Sequence, residues 1–458
     1  MRTFVEKILN APAGSIVIRR PDIVMSHDNS ARIRKIFEEM GGEKLKDAGK
    51  LLVVLDRKMT GTTDELIRDY NSIHRFMDEQ KVEHFFDCDK GICHEILAGQ
   101  LKPGGLIVGN DSHTCTAGAF NCMAVGLNKT ETAVLWKEGE MWFRVPETIK
   151  ISLKNRLPEG VYAKDLALWI MGMLREENVA YKSLEFHGEG VPALSIADRM
   201  TLANVTAEMG LKSAAFPPDD KLADYFGDYA VQGVWADRDA MYYKEFEVDL
   251  AQVIPLVMEV GEINEIKAPG EWGRLEIQQG LIGACASGRL EDLRVVARIL
   301  DGKKIASGFQ LSIVPASREI YLQAIQEGII DRLVKSGASI LGSSCGPCLG
   351  SSHMIMADTR RFITTVNSNS MRRLSAIGVE KYVASPATVA MTALTGVLTV
   401  EVERTDAKYP YWEMPKVWVT VNEFERRYHN RVWNYGDLNS IACEQLFDEA
   451  CTYRIAPD

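Results

Sequence analysis

Short apolar runs of β type recur along the chain, each ending in glycine or a small polar residue and each giving way to a stretch with helical spacing. LLVVLD (51–56) precedes a helical pattern near 63–79, and GLIVGND (105–111) follows. Further on, GLIGAC (280–285) leads to LEDLRVVARIL (290–300), QLSIVP (310–315) to REIYLQAIQEG (318–328), and ASILG (338–342) into a loop of glycine, serine and cysteine. Such alternation predicts an α/β fold of parallel sheets covered by helices. Ligands in these folds collect at the carboxyl ends of strands, where the flagged stretches sit.

No internal repeat, low-complexity segment or Ser/Gly linker interrupts the pattern. Composition changes near residue 405, where VERTDAKYPYWEMPKVWVTVNEFERRYHNRVW is rich in aromatics and charges, so one boundary is placed there. The 458 residues, 46% hydrophobic and 25% charged, suit a globular chain with two or three cores, since domains cluster near ~100–200 residues. There is no run of ~18 apolar residues, and the start, MRTFVEKILNAPAGS, lacks the apolar core and cleavage site of a signal peptide. A cytoplasmic location follows as the expectation. A formal charge of −10 gives no basic footprint for nucleic acid or an anionic membrane, so neither is expected as a partner, while small anionic substrates stay open.

Nine cysteines, an odd count in a long chain, argue for thiols and ligands rather than a disulfide framework. Two of them, Cys345 and Cys348, stand three positions apart in SSCGPCLGSSH (343–353). Such a turn serves a zinc ribbon, a redox pair or an iron–sulfur site. A zinc ribbon wants a second close pair, which the other cysteines do not provide. A redox pair opens a helix after a strand, whereas Gly346-Pro347 and Gly350-Ser351-Ser352 read as loop. Cys285, in GACASGRLEDL, is the remaining partner and would make three thiolates. The residues alone are equally served by a tight structural turn with Cys285 as a buried small hydrophobe.

Seven segments, in order, resolve that choice: KGICHEIL (90–97), LKPGGLIVGNDSHT (101–114), GNDSHTCTAGAF (109–120), DRMTLANVTAEMG (198–210), GACASGRLEDL (283–293), SSCGPCLG (343–350) and YVASPATVAMTALTG (382–396). They resemble the aconitase superfamily, most closely the large subunits of 3-isopropylmalate dehydratase and homoaconitase, over roughly residues 1–405. The resemblance implies three α/β/α sandwich domains around an iron–sulfur cluster, without the swivelling small domain. Residues 1–275 would form the first two, 276–405 the third with the cluster cysteines, and 406–458 an extension. It implies a four-iron four-sulfur cluster held by Cys285, Cys345 and Cys348, with one iron left open as a Lewis acid. It also implies a separate small subunit as partner.

Dehydrating a hydroxy acid needs a base for the carbon-bound proton and an acid for the departing hydroxide. By resemblance, Asp56, His94, Asp111, His113 and Glu208 are the catalytic set, with Asn204 beside Glu208 near the open iron. Spaced i, i+4, Asn204 and Glu208 are expected to share a helix face. Arg289, Asn367, Ser368 and Arg373 fall on substrate-binding positions. Three departures stand out. VVLDRKMTG keeps Asp56 but has Arg57 where the family pairs a histidine with it, and a guanidinium cannot return a proton near neutral pH. TTVNSNSMRRLS puts Ser368 in place of one substrate-gripping arginine and Arg372 in place of a glycine, retaining Arg373. The family's Cys-Thr-Asn-Gly-Arg becomes Cys285, Ala286, Ser287, Gly288, Arg289. Arg57 and Ser368 are expected to touch in one pocket and together to alter which acid fits.

The function implied is reversible dehydration or hydroxyl migration on a small hydroxy-carboxylate. A hydro-lyase for an unusual acid, and a non-catalytic cluster-bearing sensor or RNA-binding relative, are the alternatives. In the tail, NRVWNYGDLNSIACEQLF (430–447) faintly resembles the start of a small subunit, and a helical appendage is the other reading.

Overall fold

The computed structural model describes residues 1–57, 63–88, 90–227, 233–261, 264–349, 359–373 and 378–399. The strands expected from the apolar runs are present, and three larger sheets, beside the two-stranded pair Ile16–Arg19 and Met141–Arg144, organise the described residues. The first has five parallel strands in the order His84–Phe86, Leu51–Val54, Ile23–Ser26, Leu106–Gly109, Met123–Gly126. Successive side chains of a strand point to opposite faces. Leu51, Val53 and Val108 therefore enter one core with Phe4, Phe37 and Trp136, while Leu52, Val54 and Ile107 enter another.

The second sheet has four parallel strands in the order Ser213–Ala215, Ser183–His187, Thr148–Lys154, Lys244–Asp249. The third has seven, in the order Glu265–Lys267, Val257–Glu259, Glu380–Ala384, Arg361–Thr364, Gln279–Gly283, Gln310–Val314, Ser339–Ile340. Its last five are parallel, and the two edge strands drawn from residues 257–267 run antiparallel. Ile149, Ile151 and Phe186 of the second sheet join Leu52 and Ile107 of the first and Leu281 and Val314 of the third in one shared core, which also takes in Cys285 and Cys348. The helices follow the predicted periodicity: Asp64–Gln80 after the first-sheet strand, then Leu290–Leu300 and Arg318–Gln326. Among the described residues no helix is long and apolar enough to cross a membrane. The extension beyond residue 405 lies outside the described residues.

Candidate active site

Five strands of two sheets end at one cavity. Past Leu51–Val54 come Asp56 and Arg57, and past Leu106–Gly109 comes Asp111. Past Gln279–Gly283 comes Cys285, past Ser339–Ile340 come Cys345 and Cys348, and past Arg361–Thr364 comes Asn367. His94 and Cys93, which open the helix Cys93–Ala98, complete the wall with His113.

The turn carrying Cys285 is forced by its neighbours. Gly283 has φ 126° and Ala284 φ 58°, both in the left-handed half of backbone space. A Cβ on Gly283 would stand 2.0 Å from Val314 O, inside any tolerable contact. Backbone strain of this kind costs ~1–3 kcal/mol before any clash. Gly283→Ala is therefore expected to cost more than ~3 kcal/mol, read as a lower midpoint of chemical unfolding. An unchanged midpoint would show that the strand pair has room to spare.

Asp56 ties the two sheets together. Its Oδ2 accepts the Cys93 N–H at 2.8 Å, and its backbone carbonyl accepts the Cys345 N–H at 2.8 Å. Asp28 holds this corner, its Oδ2 accepting the amides of Asp56 at 3.1 Å and Arg57 at 3.0 Å, while Tyr70 donates to its Oδ1. Burial, and then the neighbouring Asp28 charge, push the Asp56 carboxyl up to about 6. His27, Asp28 and Asp56 bring possible ligand atoms within 4.8 Å of one another. Those of Asp28 are already engaged, and His27 Nε2 meets Asn110 O at 2.7 Å, so the trio is scaffold.

A hydrogen-bonded chain of alternating charge lines the far wall. Arg57 pairs with Asp111 Oδ2, and His94 Nε2 donates to Asp111 Oδ1 at 3.0 Å. The His113 backbone N–H also reaches Oδ1, at 2.8 Å. His113 Nε2 then donates to Glu208 Oε1 at 2.8 Å, and Glu208 Oε2 accepts from Ser368 Oγ at 2.6 Å and from the Asn369 N–H at 2.8 Å. Burial alone would raise the Asp111 carboxyl, but Arg57 and the two histidines hold it well below the usual carboxylate range. Burial alone would lower His113, yet its bonds to Asp111 and Glu208 hold it well above the ordinary histidine value. Glu208, despite its burial, is drawn down to about 2 by His113, Ser368 and the Asn369 amide. The chain is thus two ion pairs in series.

The structure differs from the sequence expectations in three respects. Arg57 and Ser368 are not in contact, because Asp111, His113 and Glu208 stand between them, each end capping one carboxylate. Asn204 and Glu208 do not share one α-helical face. The helix Ile196–Val205 ends between them and tightens into the turn Thr206–Met209, stopped by Gly210 at φ 82°. Asn204 instead pairs with Asn367, whose Nδ2 donates to its Oδ1 at 2.6 Å. Arg289, finally, is not among the residues that line the cavity: NH2 donates to Cys285 O at 2.9 Å, while Nε, 2.9 Å from Glu95 Oε1 as an ion pair, makes no hydrogen bond. Arg373 closes the short helix Ser368–Arg373, and its side chain lies outside the described residues.

Sequence reasoning missed Lys164, Cys93 and Asp28. Lys164 opens the helix Ala163–Met173 and is only 2% exposed, where a first-turn lysine ordinarily reads as solvated. Cys93 was visible inside KGICHEIL but overshadowed by His94.

The three cysteines fit a metal cluster. Cys285, Cys345 and Cys348 are free thiols on one cavity wall. On the same cavity, Asp56 Oδ1, 4.0 Å from Arg57 Nε, and His94 Nδ1 are buried with no hydrogen-bond partner among the described residues, a combination suited to a polar ligand.

Comparison with known proteins bears on this geometry. The family model described as "Aconitase family (aconitate hydratase)" matches residues 6–261 and 261–396. The large subunit 1 of 3-isopropylmalate dehydratase from Methanopyrus kandleri is 38% identical over 410 residues, covering 87% of this chain and 98% of that protein. A Methanosarcina mazei protein named "Probable methanogen homoaconitase large subunit" is 37% identical over 384 residues, 82% of this chain and 97% of its own. The Thermotoga maritima 3-isopropylmalate dehydratase large subunit 1 is 35% identical over 412 residues, 87% and 98% respectively.

Proposed function

The chain belongs to the aconitase family, and from that premise we propose that it is the large subunit of a hydro-lyase acting on a small hydroxy-carboxylate of the 3-isopropylmalate or homoaconitate class. A four-iron four-sulfur cluster would be held by Cys285, Cys345 and Cys348. The observation that carries this reading is the convergence of those three thiols with Asp111 and His113 on one cavity, His113 being hydrogen-bonded in turn to Glu208 behind it. When bound, the cluster would supply a Lewis-acidic iron that makes the substrate hydroxyl labile.

The chain's own residues account for the rest. Glu208, held by three donors, keeps a charged carboxylate behind His113 and would exchange a proton with the water that leaves or returns. His113 holds that carboxylate charged, and Asp111 holds His113 and His94 in place. Asp56, with one free oxygen, is the second polar group that a departing hydroxyl can meet. Asn204 and Asn367 place amides beside the cluster, and Arg289 braces the Cys285 turn. Ser368 and Arg373 belong to the segment that would face substrate carboxylates.

A second reading, an acid outside the usual set, is favoured by one observation. Arg57 spends its charge on Asp111 and Ser368 its hydroxyl on Glu208. Neither therefore replaces the missing planar cation for a carboxylate.

Anaerobic reconstitution with iron and sulfide, followed by a panel of hydroxy-acids with and without a small subunit from the same source, tests the proposal. We expect turnover only with the small subunit, because the described residues hold no swivelling domain. Full turnover by the isolated chain would refute the two-subunit assignment, and no turnover of any acid by the loaded pair would refute the enzyme reading.

A further inference from the structure

Lys164 is the cation for which the site, as described so far, has no use. Its side chain is buried at 2% exposure beside groups of the cavity. Among the described residues its one hydrogen-bond partner is the neutral Asn367 Oδ1, at 3.0 Å, and no carboxylate lies within ion-pairing distance. A buried ammonium with only an amide for company costs several kcal/mol unless an anion compensates it. Arg57 and His113 are already matched by Asp111 and Glu208, whereas Lys164 has no carboxylate at that range among the described residues. Burial lowers its ammonium only to about 8, which keeps it mostly charged at neutral pH.

The bond to Asn367 also has a direction. An ammonium only donates, so Asn367 must turn Oδ1 toward it and Nδ2 away. Nδ2 donates to Asn204 Oδ1 at 2.6 Å, which forces Asn204 Nδ2 outward to Thr116 Oγ1 at 2.8 Å, and Thr116 Oγ1 donates to His113 O at 2.7 Å. One charge thereby fixes the sense of two amides that could each otherwise sit either way round.

Resting on the cluster reading above, we propose that Lys164 is a positioning residue. It orients the Asn367–Asn204 amide pair and supplies a positive charge, paired with no carboxylate, that would balance an anionic cluster in the cavity. Net charge and hydrogen bonds to sulfur are among the levers that set a cluster's reduction potential. Removing Lys164 should therefore move that potential even though the residue ligates nothing.

The experiment uses the full chain, reconstituted anaerobically, as wild type, Lys164→Met, Lys164→Gln and Lys164→Arg. It reads the cluster reduction potential by redox titration followed by electron paramagnetic resonance, alongside the melting temperature of each apoprotein. Lys164→Met is expected to shift the potential to more negative values and Lys164→Arg to restore it. The Lys164→Met apoprotein should melt no lower than wild type, because an apolar chain of similar volume replaces an unpaired charge. Should Lys164→Met fail to fold, Lys164→Gln, which keeps a donor for Asn367 but no charge, decides the point by the same negative shift. An unmoved potential in the foldable variant, or a shift that arginine does not reverse, overturns the inference. A wild-type chain that takes up no iron ends the cluster reading and this proposal together, whereas a loaded wild type with an unmoved variant ends this proposal alone.

Discussion

Replacing Cys285, Cys345 or Cys348 by serine, one at a time, is expected to leave a colourless chain after anaerobic reconstitution, where the wild type is brown and holds about four irons. Dehydratase activity with the small subunit should fall by more than ~10³, the equivalent of several kcal/mol of Lewis-acid stabilisation. The reason for so large an effect is that the three thiols come from two turns of one sheet, Cys285 after Gln279–Gly283 and the other two after Ser339–Ile340. No second set stands ready to replace them in the same geometry. Cys93 is the informative control, because it faces the same cavity yet opens the helix Cys93–Ala98 and belongs to neither cysteine turn. Cys93→Ser should keep colour and iron. Retention of full iron by any of the three variants, or its loss in Cys93→Ser, would redraw the ligand set. Circular dichroism would show that a buried serine, at a cost of ~1–3 kcal/mol, has left the fold intact.

Glu208→Gln should keep the cluster and lose the reaction. The two oxygens of Glu208 receive three donors, from His113, Ser368 and the Asn369 amide. Glutamine offers one oxygen and one NH2, so one donor must confront another whichever way the amide turns. A positioned acid–base group contributes ~10²–10⁴ in rate, and kcat is expected to drop by that much. Iron content should match the wild type, which separates this loss from that of the cysteine variants. Turnover within tenfold of wild type would remove Glu208 from the proton-transfer role and leave it as a structural anchor for Ser368 and Asn369.

What the sequence disclosed follows from how each feature is encoded. The first and third sheets were readable because their inner strands, such as Leu51–Val54 and Gln279–Gly283, are buried and therefore nearly all apolar. The second sheet went unread. Its edge strand Lys244–Asp249 is KEFEVD, half exposed, and Ser213–Ala215 is three small residues with no β-branched side chain. The cysteines and the NDSHT segment carried the site because the family motifs are local in sequence. The substitution at Arg57 was equally visible, but its partner was not, since the Asp111 that it meets stands on another strand end. Lys164 was hidden for the opposite reason: its neighbours look ordinary, and only burial reveals that its charge is unanswered.

The double grip of Asp56 on Cys93 and Cys345 has a bearing on biogenesis. One contact is made within the amino-terminal sheet, whereas the other waits for a residue nearly three hundred positions later. Synthesis at ~5–20 residues per second puts roughly 15–60 s between the emergence of Asp56 and that of Cys345. During that interval the first sheet can fold around Asp28 and Asp56, but the pocket has neither Cys285 nor Cys345 and Cys348 for most of the time. A cluster held by these three cysteines could therefore be completed only after Cys348 emerges, and a chain truncated before Cys345 would offer an iron–sulfur carrier at most one of the three thiols.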